Sequence, residues 1–251
     1  TNKILGKKAD CICVAYSGME RFFPAEKIVM TGNPIRSAMR PATPQMKEEG
    51  LKFYRLSPER KHLLIIGGSL GSGTLNRSIM KWISDGCPGG ENLEVLWQCG
   101  KYYKKSVDEF MKKSEAEGLG GKTLAGVRAM DFIGRMDLAY AVADAVVSRS
   151  GASSVSELCA CGKAAIFVPS PNVAEDHQTH NAMALVNRGA GMIVKDADAP
   201  EKLMATACTL LEEPQKIKEM EANALKLALP NAAQSIADEI YKILKQHSLC
   251  L

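Results

Sequence analysis

Residues 63–73 read Leu63-Leu64-Ile65-Ile66-Gly67-Gly68-Ser69-Leu70-Gly71-Ser72-Gly73. Four large apolar residues in a row predict a strand buried on both faces. The turn that follows holds four glycines, and helix-like sequence begins after it. Glycine reaches positive φ and leaves backbone N–H groups bare, so a phosphate can approach closely. The N-terminus of the next helix adds positive partial charge. The turn therefore suits a diphosphate, or equally a plain tight strand-to-helix connection. The spacing is not Gly-x-Gly-x-x-Gly, and no Gly-Lys-Ser/Thr follows, so the dinucleotide fingerprint and the P-loop are both excluded.

Similar short apolar runs recur at Cys11–Ala15, Lys27–Met30, Leu93–Trp97, Ala145–Ser148, Ala165–Val168 and Met192–Val194. Helix-like stretches separate most of them, at about 73–85, 103–114, 137–143, 152–161 and 178–188. Alternating strands and helices predict an α/β fold, a Rossmann-like parallel sheet with helices on both faces. The tail departs from this pattern, with helices expected over 199–212, 214–228 and 231–246. Pro214 and Pro230 stand where new helices start. Ligands of open parallel sheets bind at the carboxyl ends of the strands, so the strand-to-helix turns are where chemistry is expected.

The 251 residues allow one large domain or two small ones at about 100–200 residues each. With 46% apolar and 24% charged residues the chain is an ordinary globular one, not a disordered or collagen-like one. No run of about 18 apolar residues exists, and Thr1–Gly6 is too short in apolar character for a signal peptide. Net charge is +4, split as +5 over residues 1–60, +2 over 61–150 and −3 over 151–251. A basic first segment suits phosphates, an anionic membrane surface or plain solvent. No dense Lys/Arg run carries interleaved aromatics, so no nucleic-acid partner is expected. Cysteines stand at 11, 13, 87, 99, 159, 161, 208 and 250, without zinc-ligand spacing. Most are expected to be small buried hydrophobes in a reducing compartment.

Three further turns carry polar chemistry. In Ser148-Arg149-Ser150-Gly151-Ala152-Ser153-Ser154-Val155-Ser156-Glu157, a strand ends and a helix of small residues begins near Ala152, leaving N–H groups open to an anion. Glu157, one turn in, suits a ribose diol; alternatively Ser154-x-x-Glu157 is a capping box. In Pro169–Asn181, His177, Gln178 and Asn181 fall on or near one helix face at i, i+1 and i+4. Amides donate and accept, which suits sugar hydroxyls. The alternative is a solvated loop capped by Asp176. His177 and His180 lack a third metal ligand at useful spacing. In Asp131-Phe132-Ile133-Gly134-Arg135-Met136, Phe132 is placed to stack on a flat base and the Ile133 backbone to read its edge; a core strand end looks the same.

Two more stretches are ambiguous. Thr31-Gly32-Asn33-Pro34-Ile35-Arg36 is expected to join a strand to a helix, with Arg36 reaching a phosphate or lying on the surface near a domain boundary. Asp196-Ala197-Asp198 matches a metal-holding Asp-x-Asp, but Ala-Pro-Glu follows, so Asp198 reads as a helix N-cap.

The turns at 32–36, 67–72, 132–136, 148–157 and 176–182, in this order, resemble the MurG family, the UDP-N-acetylglucosamine–N-acetylmuramyl-(pentapeptide) pyrophosphoryl-undecaprenol N-acetylglucosamine transferases of bacterial cell-wall synthesis. The resemblance runs over about residues 1–246. It implies the donor domain of a GT-B glycosyltransferase: residues 1–30 as a remnant of an amino-terminal acceptor domain, 31–230 as the UDP-sugar domain, 231–251 as a closing helix and tail. It implies an inverting hexosyltransferase that moves N-acetylglucosamine from UDP-N-acetylglucosamine to a lipid-linked acceptor, at the cytoplasmic face of the inner membrane, as a peripheral protein.

Carried over by motif, Ser69 and the backbone of Ala152, Ser153 and Ser154 hold the diphosphate, with Arg36 adding charge. Ile133 reads uracil, Phe132 flanks it, Glu157 takes the ribose hydroxyls, and Gln178 and Asn181 take the sugar. His177 stands where some members carry a Gln. No cofactor or metal is implied. The family's Gly-Gly-Thr-Gly-Gly-His motif, associated with the catalytic His, is absent from this sequence. No catalytic base is therefore expected in this chain, and the lack of an initiator Met reads as the edge of a cut. Two other readings stand beside this one: a UDP-N-acetylglucosamine 2-epimerase of the same fold, and a non-catalytic nucleotide-sugar-binding module.

Overall fold

A computed structural model of the chain describes residues 2–16, 18–173 and 176–248. Its centre is a six-stranded sheet of β3 (Lys61–Ile66), β4 (Leu93–Gln98), β5 (Val127–Met130), β6 (Ala145–Ser148), β7 (Ala165–Phe167) and β8 (Gly191–Ile193). The order is β5-β4-β3-β6-β7-β8, and every pair is parallel.

Strict alternation along the strands feeds two cores. Leu63, Ile65, Val95, Trp97, Ala145, Val147 and Ile166 face one. Leu64, Ile66, Leu96, Val146, Ala165 and Phe167 face the other. Successive strand side chains point to opposite faces, so both faces must be covered. On the first, α3 (Gly73–Ser84) contributes Leu75, Ile79, Trp82 and Ile83, and α9 (Ala199–Leu211) contributes Leu203, Met204 and Ala207. On the second, α6 (Met136–Val142), α7 (Ala152–Cys161) and α8 (His177–Val186) contribute Leu138, Val155, Leu158, Ala182 and Leu185. Each fully buried Leu or Ile is worth about 2–3 kcal/mol relative to exposure.

The chain leaves β3 outward through β4 and β5, then returns to β6 on the other side of β3. This is a topological switch point, where a crevice opens at the carboxyl ends. Ile66 and Ser148 are register partners, so the loops after β3 and β6 start side by side.

The first residues form their own two-stranded parallel sheet of β1 (Ile12–Val14) and β2 (Ile28–Met30), behind the short helix α1 (Asn2–Gly6). They line a cavity of about 410 Å³ with Leu5, Ile12, Val14, Met19 and Phe23. After α10 (Pro214–Lys226), the last helix, α11 (Ala232–Ser248), runs back beside this segment, where Glu239 acts electrostatically on the Cys11 thiol.

Two expectations need correction. A helix does not follow Arg36 directly: α2 spans Pro44–Tyr54, with Thr43 as N-cap accepting from Met46 N at 3.2 Å. Pro41 and Pro44 hold the residues before them out of helical backbone, which delays the start. The sheet also gains β5, whose apolar run is broken by Arg128; that guanidinium runs to the Arg55 carbonyl at 2.6 Å and Glu94 at 3.2 Å. Of the cysteines, 87, 99, 159, 161 and 208 are buried, Cys11 is half-buried, Cys13 is exposed, and Cys250 lies outside the described residues. Burial pushes the Cys161 thiol up to about 12.

Candidate functional site

Loops from β3, β5, β6 and β7 meet at the carboxyl end of the sheet, and their glycines are of two kinds. A Cβ on Gly71 (φ +83°) would lie 2.1 Å from the Cys99 carbonyl oxygen, and one on Gly100 (φ +89°) 2.4 Å from Gly71 backbone. These two are glycine because two backbones touch there. Gly68, Gly134 and Gly151 are different: a Cβ on any of them would meet nothing within 4 Å. Gly68 needs its positive φ of +84°, but packing does not explain Gly134 or Gly151. Open space before three strand-end glycines is what a ligand-facing backbone requires.

The two Gly-rich turns differ in a second way. Helix α3 is already capped, since buried Ser72 accepts from Leu75 N at 3.4 Å. Helix α7 starts after Gly151, which supplies no side-chain acceptor, and its first turn holds no acidic residue. The N–H groups of Ala152, Ser153 and Ser154 thus keep their positive end for an anion. Ser69 sits exposed in the turn after β3.

Helix α7 begins at Ala152, so Ser154 is inside the first turn and cannot be the cap of a capping box. Glu157 instead accepts from Arg36 Nη2 and from the Tyr140 hydroxyl, both at 3.2 Å. The pair is asymmetric, with Arg36 56% exposed and Glu157 16%. Burial, with Glu157 beside it, holds the Tyr140 hydroxyl protonated far above its ordinary range, so it remains a donor. The sequence reading missed Tyr140, which fixes one oxygen of the carboxylate and leaves the other to an exposed, replaceable arginine.

Phe132 is 61% exposed at the end of β5, while Ile133 buries its side chain at 1%. Ile133 as a whole residue is thus buried beneath the exposed Phe132. The Phe132 amide is engaged by Asp131 Oδ1 at 2.9 Å.

On α8, Gln178 and Asn181 do come together, around Ser150. The Ser150 hydroxyl donates to the Gln178 carbonyl at 2.8 Å, and Asn181 Nδ2 donates to the Ser150 carbonyl at 3.0 Å. Gln178 Oε1 accepts from Ser170 N at 2.9 Å. Ser150, also missed from sequence, thereby ties α8 to the loop before α7. His177 is exposed as the first residue of the helix. Asp176 occupies the N-cap position at φ 49° but makes no side-chain cap; its carboxylate accepts from Thr179 at 2.7 Å.

Asp198 stands at the N-cap position of α9 as expected, yet its side chain accepts from Lys202 Nζ at 3.2 Å rather than from backbone. Asp196 is taken up by Arg149 and Thr74. Among the described residues no three His, Cys, Asp or Glu side chains are grouped to hold a metal.

The family model of the glycosyltransferase family 28 C-terminal domain matches residues 62–240. The chain belongs to that family. The match takes in the six-stranded sheet from His62 onward and its strand-end turns, and leaves Arg36 outside. Among curated relatives within it, the UDP-N-acetylglucosamine–N-acetylmuramyl-(pentapeptide) pyrophosphoryl-undecaprenol N-acetylglucosamine transferase of Parabacteroides distasonis is 47% identical over 97% of this chain and 63% of its own length. The protein of the same name from Bacteroides thetaiotaomicron is 45% identical over 97% and 63%. Among solved structures, Acinetobacter baumannii MurG aligns with TM-score 0.71 and 29% identity, over 96% of this chain and 62% of that one. The chain thus spans about three-fifths of the length of these relatives. An S. aureus MnaA-UDP co-structure, at 16% identity and TM-score 0.67, shares the fold. The family's domain has the GT-B architecture expected from the sequence.

Proposed function

We propose that this chain is the donor-binding part of an inverting N-acetylglucosaminyltransferase that uses UDP-N-acetylglucosamine and a lipid-linked N-acetylmuramoyl-pentapeptide acceptor in peptidoglycan synthesis. The observation that carries the reading is the uncapped N-terminus of α7 beside glycines that face open space, at the switch point of the sheet. The names of the relatives at 42–47% identity support the substrate class and leave the 2-epimerase alternative without favour.

In this reading residues 1–30 belong to the acceptor domain, 31–230 form the donor domain, and α11 closes back across them. The diphosphate lies against Ser69 and the α7 N-terminus. Uracil lies between Phe132 and the Ile133 backbone, the ribose on Glu157, and the sugar by Gln178, Asn181 and His177. An acceptor hydroxyl attacks the anomeric carbon as UDP departs. Charge grows on the leaving diphosphate, and preorganised N–H groups with Arg36 stabilise it most where that charge is largest. Glu157 and Arg36 hold each other in this structure, and each turns to its own half of the nucleotide on binding. The general base comes from the part of the relatives that this chain does not span. Among the described residues no helix is long and apolar enough to cross a membrane, which is compatible with a peripheral protein at the cytoplasmic face of the inner membrane.

Calorimetric titration of the 251-residue chain with UDP and UDP-N-acetylglucosamine tests the reading. Both are expected to bind, with no sugar transferred to added acceptor. Folded protein that gives no heat with either nucleotide would refute the donor assignment.

A further inference from the structure

Asp196 is the unused half of the Asp-x-Asp motif, and the residues around it come from four strand ends. It follows β8. Its Oδ1 accepts from Arg149 Nη1 at 2.5 Å, and Arg149 follows β6. Its Oδ2 accepts from the Thr74 hydroxyl at 3.0 Å, and Thr74 lies in the first turn of α3, after β3. The same Arg149 Nη1 donates to the Val168 carbonyl, past β7, at 2.9 Å. Thr74 in turn accepts from Arg77 Nη2 at 3.2 Å. The ion pair is mostly buried, with Arg149 14% and Asp196 19% exposed.

This carboxylate is the common acceptor for the two loops that frame the switch-point crevice. Arg149 immediately precedes Ser150-Gly151 and the open N-terminus of α7; Thr74 follows the Gly67–Gly73 turn that carries Ser69. Each carboxylate oxygen takes one donor, and the charge-assisted bond to Arg149 fixes relative position more tightly than a neutral hydrogen bond. It also pairs the charge of Arg149, as Glu157 pairs that of Arg36.

We propose that Asp196 is a positioning residue for the diphosphate: it sets the spacing between the Ser69 turn and the α7 N-terminus by holding Thr74 and Arg149 at once. This rests on the donor-binding reading above. Asp196 touches no part of the ligand in this account, and the uridine half is held elsewhere, by Phe132, Ile133 and Glu157.

The consequence is a split between ligands that share the nucleoside and differ in the diphosphate. In the full 251-residue chain, Asp196→Ala is expected to weaken UDP by about tenfold or more, the scale of a lost charge-assisted hydrogen bond, and to leave uridine affinity within about twofold. Asp196→Asn keeps one acceptor, for Thr74 or for Arg149 but not both, and loses the charge, so it is expected to recover only a small part of the loss. Thr74→Val removes one anchor only and is expected to weaken UDP by about threefold, without effect on uridine. The thermal midpoints of all three are measured alongside, and if Asp196→Ala does not fold, the other two variants carry the test. Equal loss of UDP and uridine, or no loss of UDP in folded variants, overturns the proposal. Failure of the unsubstituted chain to bind UDP would instead overturn the donor-binding reading on which it stands.

Discussion

Gly71→Ala is expected to destabilise the chain by about 3–5 kcal/mol, the sum of left-handed strain and overpacking. The added Cβ would stand 2.1 Å from the Cys99 carbonyl oxygen and 2.9 Å from Gly100 Cα, both backbone atoms of a buried strand end. Neither moves without breaking the bond from Cys99 N to the Met130 carbonyl at 2.8 Å. Domains hold only about 5–15 kcal/mol in total, so this is a large fraction. At about 2–4 °C per kcal/mol for a domain of this size, the thermal midpoint should fall by roughly 10 °C. Gly68→Ala shares the positive φ but meets nothing within 4 Å, so it should lose only about 1 kcal/mol. Similar melting losses for the two variants would contradict the distinction between packing glycines and ligand-facing ones.

Glu157→Ala is the second large effect, and it appears in binding. A charge-assisted hydrogen bond to a carboxylate is worth about 1.5–3 kcal/mol, so the loss of one such bond from the ribose diol should drop UDP affinity about 10–100-fold. Uridine should weaken alongside, because it carries the same diol; this separates Glu157 from Asp196. Ser156→Ala, one residue back on the same helix, should change UDP affinity by less than about threefold. The capping-box alternative, which the helix start at Ala152 already removes, expects the loss to follow helix stability. Equal effects of the two substitutions on UDP would therefore show that Glu157 acts through α7 and not on the ligand.

Most of the sheet was legible because buried parallel strands are dense in Val, Ile and Leu, and five of its six strands announced themselves that way. The edge strand β5 did not, since only Val127 of its four residues is buried and Arg128 interrupts it. The delay of α2 to Pro44 was legible in principle from Pro41 and Pro44, which bar helical backbone before them. The site divides along another line. Features set by local chemistry, such as the glycine turns and the small-residue start of α7, could be read directly. Features set by long-range contact could not: Arg36 meets Glu157 across 121 positions, and Thr74 meets Asp196 across 122. Nothing near Tyr140 or Ser150 in sequence hints that one orients Glu157 and the other ties α8 to the α7 loop. Ser154-x-x-Glu157 fails as a cap because α7 starts at Ala152, where the sequence already placed it, which puts Ser154 inside the first turn.

In the proposed function a uridine diphosphate sits at the switch point between β3 and β6. Backbone amide chemical shifts of the isotope-labelled chain, followed during titration with UDP, test it most directly. The largest changes are expected at Gly68, Ser69, Ile133 and Ala152–Ser154, with little change at Leu5, Met19 or Phe23. Changes confined to the cavity lined by those last three residues, or no changes at all in the folded protein, would contradict it.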